Sequence, residues 1–134
     1  MNLVYPLSRA RLILAIDSGA ALVAGLLILT IPLPLADWYG LPNDSLTLIG
    51  IVNLAYGAFS GSLVGTVILG KLPKRFWIDL LINGNLFWSV VCIGILTMNW
   101  SSLNLLGIVL IAFEGVFVAV LAVFEFRVVR PATI

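Results

Sequence analysis

Two acidic residues lie inside long runs of apolar sequence, where a charged side chain is costly to bury. Asp17 falls in the first run and Glu114 near the middle of the last, and neither run contains a Lys or Arg. An ionised carboxylate at such a position costs several kcal/mol unless it is paired, hydrogen-bonded or hydrated. Because no basic partner lies within these runs, we expect at least one of the two groups to be protonated at neutral pH.

Three more side chains in the apolar runs have the chemistry to join these carboxyl groups. Counted from the basic end of each run at about 1.5 Å per residue, Asp17 lies roughly 9 Å deep and Asn85 roughly 13 Å deep. Glu114 and Tyr56 lie roughly 18 Å and 21 Å deep on the same scale, so the depths overlap. Trp88 shares a helical face with Asn85. The sequence therefore predicts one ligand-binding polar cluster of Asp17, Tyr56, Asn85, Trp88 and Glu114.

A purely structural interpretation of these polar residues stays open. Polar groups inside membrane bundles hydrogen-bond across helices and stabilise the packing by about 1 kcal/mol each. For Glu114 a functional role is the better interpretation, because ionisable groups at this depth are costly; for Asp17, nearer the interface, both interpretations are equally supported. Packing is the preferred interpretation for Asn53, Tyr56, Ser60, Asn83 and Ser89.

Several kinds of chemistry are excluded by what the chain lacks. It contains no His and a single Cys, Cys92. The missing His removes the commonest general base, the commonest metal ligand and the usual axial ligand of haem. One Cys cannot form an internal disulfide or a Cys-x-x-Cys redox pair. We therefore expect no metal site, no cofactor and no thiol oxidoreductase activity.

The elements that position these residues are predicted to be membrane-spanning helices. The chain has 134 residues, of which 62% are hydrophobic and 10% charged, far more apolar than a soluble domain. Apolar runs long enough to cross about 30 Å of hydrocarbon fall near 12–31, 46–69, 76–97 and 104–126. Short turns favour antiparallel neighbours. We predict an all-α membrane protein whose residues 1–134 form a single up-down-up-down bundle of four transmembrane helices.

Three glycines in the second run indicate a close helix contact. Gly57, Gly61 and Gly65 follow one another at four-residue steps and so share one helical face. Small residues at this spacing let the backbones of two helices approach closely. We expect this face to pack against another helix of the same chain.

The ends of the runs carry residues typical of a membrane interface. Trp38 and Tyr39 lie in the longest connection, where aromatic residues anchor a protein at the headgroups, and we expect a short interfacial helix there. A ligand gate is the less favoured interpretation of this loop. Asp79 and Glu125 lie near basic residues, and we expect both to form ion pairs of little energetic value at the interface.

The basic residues are distributed unevenly among the connections. All of them lie at the N-terminus, the middle turn or the C-terminus, namely Arg9, Arg11, Lys71, Lys74, Arg75, Arg127 and Arg130. The positive-inside rule therefore predicts that both termini are cytoplasmic.

Four short motifs carry a resemblance to a known group of proteins. They are Asp17 early in the first run, Trp-Tyr-Gly-Leu-Pro at 38–42, Asn-Leu-Phe-Trp at 85–88 and Ala-Val-Phe-Glu-Phe at 122–126. With these motifs the whole chain resembles small bacterial four-span integral membrane proteins of the DoxX-like group. The resemblance implies a four-span fold and a multi-pass location in the bacterial inner membrane.

Three functions agree with this pattern. The first is a non-enzymatic binding or accessory module whose polar cluster holds a lipid-like or small ligand. The second is a proton-coupled transporter, since the chain resembles small multidrug resistance transporters in its four spans and early acid. The third is a lipid-modifying enzyme that uses Glu114 and Asp17 as acid and base. The expected partners are membrane lipids, a larger membrane complex or further copies of the chain, but no nucleic acid, because the net charge is only +1.

Overall fold

The computed structural model describes residues 4–134, with side chains from residue 7 onward. The described chain is helical and has no strand. Its helices are α1 (Val4–Thr30), α2 (Pro32–Tyr39), α3 (Asn43–Ile68), α4 (Arg75–Met98) and α5 (Leu105–Phe124). After α5 the chain continues as a π-helical turn, Glu125–Val129, and a short 3-10 turn, Arg130–Ala132.

The four long helices indicate a multi-pass membrane protein. Each of α1, α3, α4 and α5 is long and apolar enough to cross a bilayer, and α2 is a short helix in the longest connection. Large apolar side chains are exposed along all four long helices, where they would face lipid. The prediction of an all-helical chain with four apolar helices of membrane-spanning length is confirmed.

The long helices pack mainly as two pairs, α1 against α3 and α4 against α5. Glycine residues let α1 and α3 pack closely. A Cβ atom on Gly57 would lie 2.7 Å from Leu22 Cγ, and one on Gly61 would lie 3.0 Å from Ser18 Oγ. A Cβ atom on Gly65, by contrast, would meet no described atom within 4 Å. Two of the three glycines predicted to pack therefore contact α1 of the same chain, and Gly65 does not.

The two pairs are joined at both ends. At one end α1 packs against the π-helical turn, and at the other α2 packs against both α3 and α5. Asn104 connects α2 to α5, since its side chain donates to the carbonyl of Asp37 at 2.6 Å and accepts from the Gly107 amide at 2.8 Å. Gly107 lies directly against the backbone carbonyl of Tyr39, where a Cβ atom would overlap it. These contacts determine where Tyr39 lies.

Apolar side chains form two buried clusters with a polar layer between them. One cluster includes Leu14, Ile78 and Val129, and the other includes Leu46 and Ile111. Along α1, α3 and α4, the residues between these clusters include buried polar side chains, and on α5 the half-buried Glu114 lies between Ile111 and Ala122. The polar layer lies next to the cavity described below.

Candidate functional site

A cavity of about 520 Å³ lies between the four long helices. Most of its lining is aliphatic or aromatic, with polar side chains at intervals along it. All five side chains predicted to form the polar cluster line this cavity: Asp17, Tyr56, Asn85, Trp88 and Glu114. Asn53 and Tyr39 also line it. The cavity therefore joins polar groups contributed by every long helix and by α2.

Glu114 is held by an indole at one part of the cavity. Trp88 Nε1 on α4 donates to Glu114 Oε1 on α5 at 2.7 Å, and both side chains are partly buried. The Asn53 amide, which lines the same cavity, donates to the Ile49 carbonyl at 3.0 Å. The Asn53 side chain also lies within hydrogen-bonding reach of Glu114. Because a carboxylate has about four acceptor positions, a group with two donors can still bind a further donor from the cavity.

Tyr39 lies beside this carboxyl group, at the end of α2. Gly40 ends the helix with φ +70, a conformation that glycine adopts without strain, and this turn directs the chain back toward α3. Burial raises the pKa of the Tyr39 phenol above its ordinary value, and the nearby Glu114 raises it further. The phenol therefore keeps its proton at neutral pH and is a neutral hydrogen-bonding group. From the sequence, an interfacial anchor was the preferred interpretation of this position and a ligand gate the alternative.

Asp17 lies at a different part of the cavity and is already well satisfied. Its two oxygens accept from Ser60 Oγ at 2.5 Å, Asn85 Nδ2 at 3.2 Å and Tyr56 Oη at 3.4 Å. The side chain is almost fully buried. Ser60, which the sequence assigned to packing, is thus its closest donor.

Glu125 corrects a prediction made from the sequence. It was expected to pair with Lys or Arg at the interface, but it is 0% exposed, and its Oε2 accepts from Asn85 Nδ2 at 3.0 Å. Its Oε1 has no hydrogen-bond partner among the described residues. The sequence contained a signal for this, because Glu125 follows Glu114 by eleven residues, about three helical turns, and so lies on the same face.

Asp79 behaves as predicted. Arg130 Nε lies 2.6 Å from Asp79 Oδ1, and Arg75 Nε lies 3.9 Å from the other oxygen. Arg130, one of the two basic residues that follow Glu125, therefore pairs with the partly exposed carboxylate of Asp79.

A second cavity, of about 460 Å³, adjoins the first. The two cavities share Ala20, Ala24, Tyr39 and Glu114 as lining residues. The second cavity is also lined by Val23 and Leu27 of α1, which are 56% and 49% exposed. The first cavity, called the inner cavity below, is bordered by Phe87 and Phe113, which are 68% and 66% exposed, so both cavities reach the surface of the bundle. Glu114 and Tyr39 lie where the two cavities meet.

The chemistry of the inner cavity is that of a binding site. It offers two carboxyl groups, several neutral donors and a large apolar surface, and no Lys or Arg of the described chain lines it. Within the same residues, no group of three or more Cys, Asp or Glu is arranged to hold a metal ion. Comparisons with protein-family models, curated proteins and solved structures give no match.

Proposed function

We propose that this protein is a non-enzymatic, membrane-embedded binding module whose inner cavity holds a lipid-like or small apolar molecule. The observation that carries the proposal is the cavity itself, about 520 Å³ of largely apolar space with isolated polar groups on its wall. Sites for small molecules commonly measure about 300–1,000 Å³ and combine an apolar lining with a few polar groups that orient the ligand.

The second cavity supports entry from the side. A hydrophobic ligand partitions into the bilayer, so a path through the surface of the bundle is more useful to it than one through water. Val23 and Leu27 border such a path on the outside, and Ala20 and Ala24 leave room along α1. Glu114 lies where this path would meet the inner cavity.

The proposal includes the orientation of the chain. An up-down-up-down antiparallel bundle in a bacterial inner membrane, with both termini cytoplasmic, is supported by the seven basic residues, all at the termini or in the middle turn. The resemblance to DoxX-like proteins supports the same location. Labelling of single cysteines placed at 72 and 101, in a Cys92→Ser background, tests it. We expect a reagent that cannot cross the membrane to label position 101 but not position 72 in intact cells, and the reverse pattern would overturn the orientation.

Native mass spectrometry of the protein gently extracted from its own membrane tests the binding function. We expect a defined extra mass in stoichiometric amount. Ala24→Phe should remove it, because the new ring would occupy space that both cavities share. Ala55→Phe is the matched control, since Ala55 is exposed on α3 and lines neither cavity.

The possible masses lead to different conclusions. An extra mass that survives Ala24→Phe would place the ligand outside the cavities and contradict the proposal. A stoichiometric larger protein with no small ligand would make the chain an accessory subunit, and a defined multiple of the chain mass would indicate a homo-oligomer.

Proton-coupled transport is a second candidate. The observation that favours it is the presence of two carboxyl groups, Asp17 and Glu114, along one cavity that no basic residue of the described chain lines. Carboxyl groups in such surroundings can take up and release protons as a substrate enters and leaves. In proteoliposomes with a pH-sensitive dye inside, transport predicts a proton flux that depends on added substrate and is lost in Glu114→Gln. A binding module predicts no flux.

A further inference from the structure

The inner cavity has an unbalanced set of charges. Two carboxyl groups, Asp17 and Glu114, line it, and no basic side chain of the described chain does. Arg130 pairs with Asp79, which does not line the cavity. A carboxylate in an apolar cavity is stabilised by a cation that comes into hydrogen-bonding distance. None of the described residues that line the cavity supplies that cation.

The lining is also rich in aromatic rings. Six rings border the cavity: Tyr39, Tyr56, Phe87, Trp88, Phe113 and Phe117. Phe113 and Phe117 are stacked, with centroids 6.1 Å apart, and Glu114 lies between them in the chain. The faces of aromatic rings attract cations through their quadrupole, most strongly where water is excluded. Carboxyl groups and rings therefore favour the same kind of ligand.

We infer that the inner cavity selects lipophilic amines, which bind as ammonium ions at Glu114 with their apolar chains along the aromatic lining. This inference rests on the proposed binding function and names the ligand class of that site. An ammonium group has donors and no acceptor, which matches a carboxylate and the hydroxyl oxygen of Tyr39. A fatty acid brings a second negative charge to the same place and is disfavoured.

Glu114 is a better site for the ammonium group than Asp17. Asp17 accepts from Ser60, Asn85 and Tyr56 and is almost fully buried. Glu114 is partly buried, accepts from Trp88, and borders both cavities. A ligand that enters through the second cavity reaches Glu114 first. Two side-chain donors, Trp88 and Asn53, lie at Glu114, one fewer than at Asp17.

Three probes of equal chain length test the ligand class: decylamine, 1-decanol and decanoate. Each is added to the full-length protein in nanodiscs of zwitterionic lipid at neutral pH, where the amine is charged, and bound probe is counted by native mass spectrometry. Because a hydrogen bond to a charged group strengthens binding by roughly ten-fold or more, decylamine should bind at least that much more tightly than 1-decanol. Decanoate should bind more weakly than either.

Two variants locate the headgroup. Glu114→Gln keeps the shape of the side chain and an acceptor for Trp88 but removes the charge, so it should abolish the preference for decylamine and lower the affinity for decylamine to about that for 1-decanol. Asp44→Asn is the matched control, because it also removes one negative charge, at an exposed position that lines neither cavity. It should leave the ratio of the two affinities as in the unchanged protein.

The outcomes test the ligand class and the binding function separately. Equal binding of decylamine and 1-decanol by the unchanged protein, or tighter binding of decanoate, would overturn the amine class while the binding function stands. A preference that persists in Glu114→Gln would overturn the position of the ammonium group. If none of the three probes binds, both the ligand class and the proposed binding function fail.

Discussion

Asn85 Nδ2 donates to Glu125 Oε2 at 3.0 Å in a buried hydrogen bond between residues 40 positions apart in the chain. The same nitrogen donates to Asp17 Oδ1 at 3.2 Å. One amide on α4 thus joins two buried carboxyl groups, one on α1 and one on the π-helical turn. Because α1 and that turn belong to different helix pairs, this amide helps to hold the two pairs together.

Replacing Asn85 by Leu should strongly destabilise the protein. Both carboxyl groups would lose a donor in a buried site, at a cost of about 2–5 kcal/mol in unfolding free energy. Asn83→Leu is the control, because Asn83 is exposed on the same helix and donates only to the Asp79 carbonyl among the described residues. SDS titration followed by circular dichroism measures both variants. Equal decreases in unfolding free energy for Asn85→Leu and Asn83→Leu would show that the hydrogen bonds of Asn85 to the two carboxyl groups add no stability.

Glu125→Gln should preserve or increase stability. The change keeps an acceptor for Asn85 and removes one of two neighbouring carboxyl groups, so the unfolding free energy should rise by up to about 1 kcal/mol. Asp79→Asn provides the contrast, since it weakens the pair with Arg130 and should lower the unfolding free energy by about 1 kcal/mol or less. A large loss in Glu125→Gln would mean that a negative charge at 125 is needed.

Trp88→Phe should lower the unfolding free energy by removing the donor to Glu114. Phe keeps an aromatic six-membered ring, but Glu114 loses the indole hydrogen bond, which predicts a decrease of about 1–3 kcal/mol in unfolding free energy. In the double variant with Glu114→Gln the loss from Trp88→Phe should be smaller, because the acceptor is then neutral. Trp100→Phe, at an exposed indole, should change the unfolding free energy little. A loss that is the same with Glu114 and with Gln at 114 would be inconsistent with this pairing.

Gly57→Ala and Gly65→Ala should have opposite effects. The added methyl group at 57 would lie 2.7 Å from Leu22 Cγ and 2.9 Å from its backbone nitrogen, so α1 and α3 must separate, at about 1–3 kcal/mol. At 65 the space is open, and Ala is the better helix former, which predicts a gain of up to about 1 kcal/mol. A substantial loss at Gly65 would indicate a partner that covers this position, such as a second copy of the chain.

Glu114→Gln should preserve the fold, whereas Glu114→Lys should disrupt it. Gln keeps the size and the acceptor for Trp88, but the Lys ammonium group would face the indole donor instead of an acceptor. Thermal unfolding in detergent distinguishes the two variants. If Lys at 114 were tolerated, the position would have to face water.

Much of the fold follows from composition and periodicity. Four apolar runs, and a short turn where Pro and Gly interrupt them, are properties that local sequence determines, because a helix in lipid must satisfy its own backbone hydrogen bonds. Four of the five polar side chains expected to cluster were selected from depth, since 1.5 Å per residue converts chain position into height, and Trp88 was selected from the helical face that it shares with Asn85. Chain position also assigned Glu125 to the interface beside basic residues, whereas the structure buries it against Asn85.

The sequence by itself determined that the chain is a set of four apolar helices with carboxyl groups inside them and no basic residue nearby. Only the tertiary structure decided which of these groups share a cavity, that Asn85 joins Asp17 to Glu125, and that Tyr39 lines the same cavities as Glu114. The physical reason is that helix height follows from residue number, whereas contacts between helices depend on how their surfaces pack. In this chain those surfaces meet through Gly57 on Leu22 and Gly107 on Tyr39, contacts between residues far apart in the sequence.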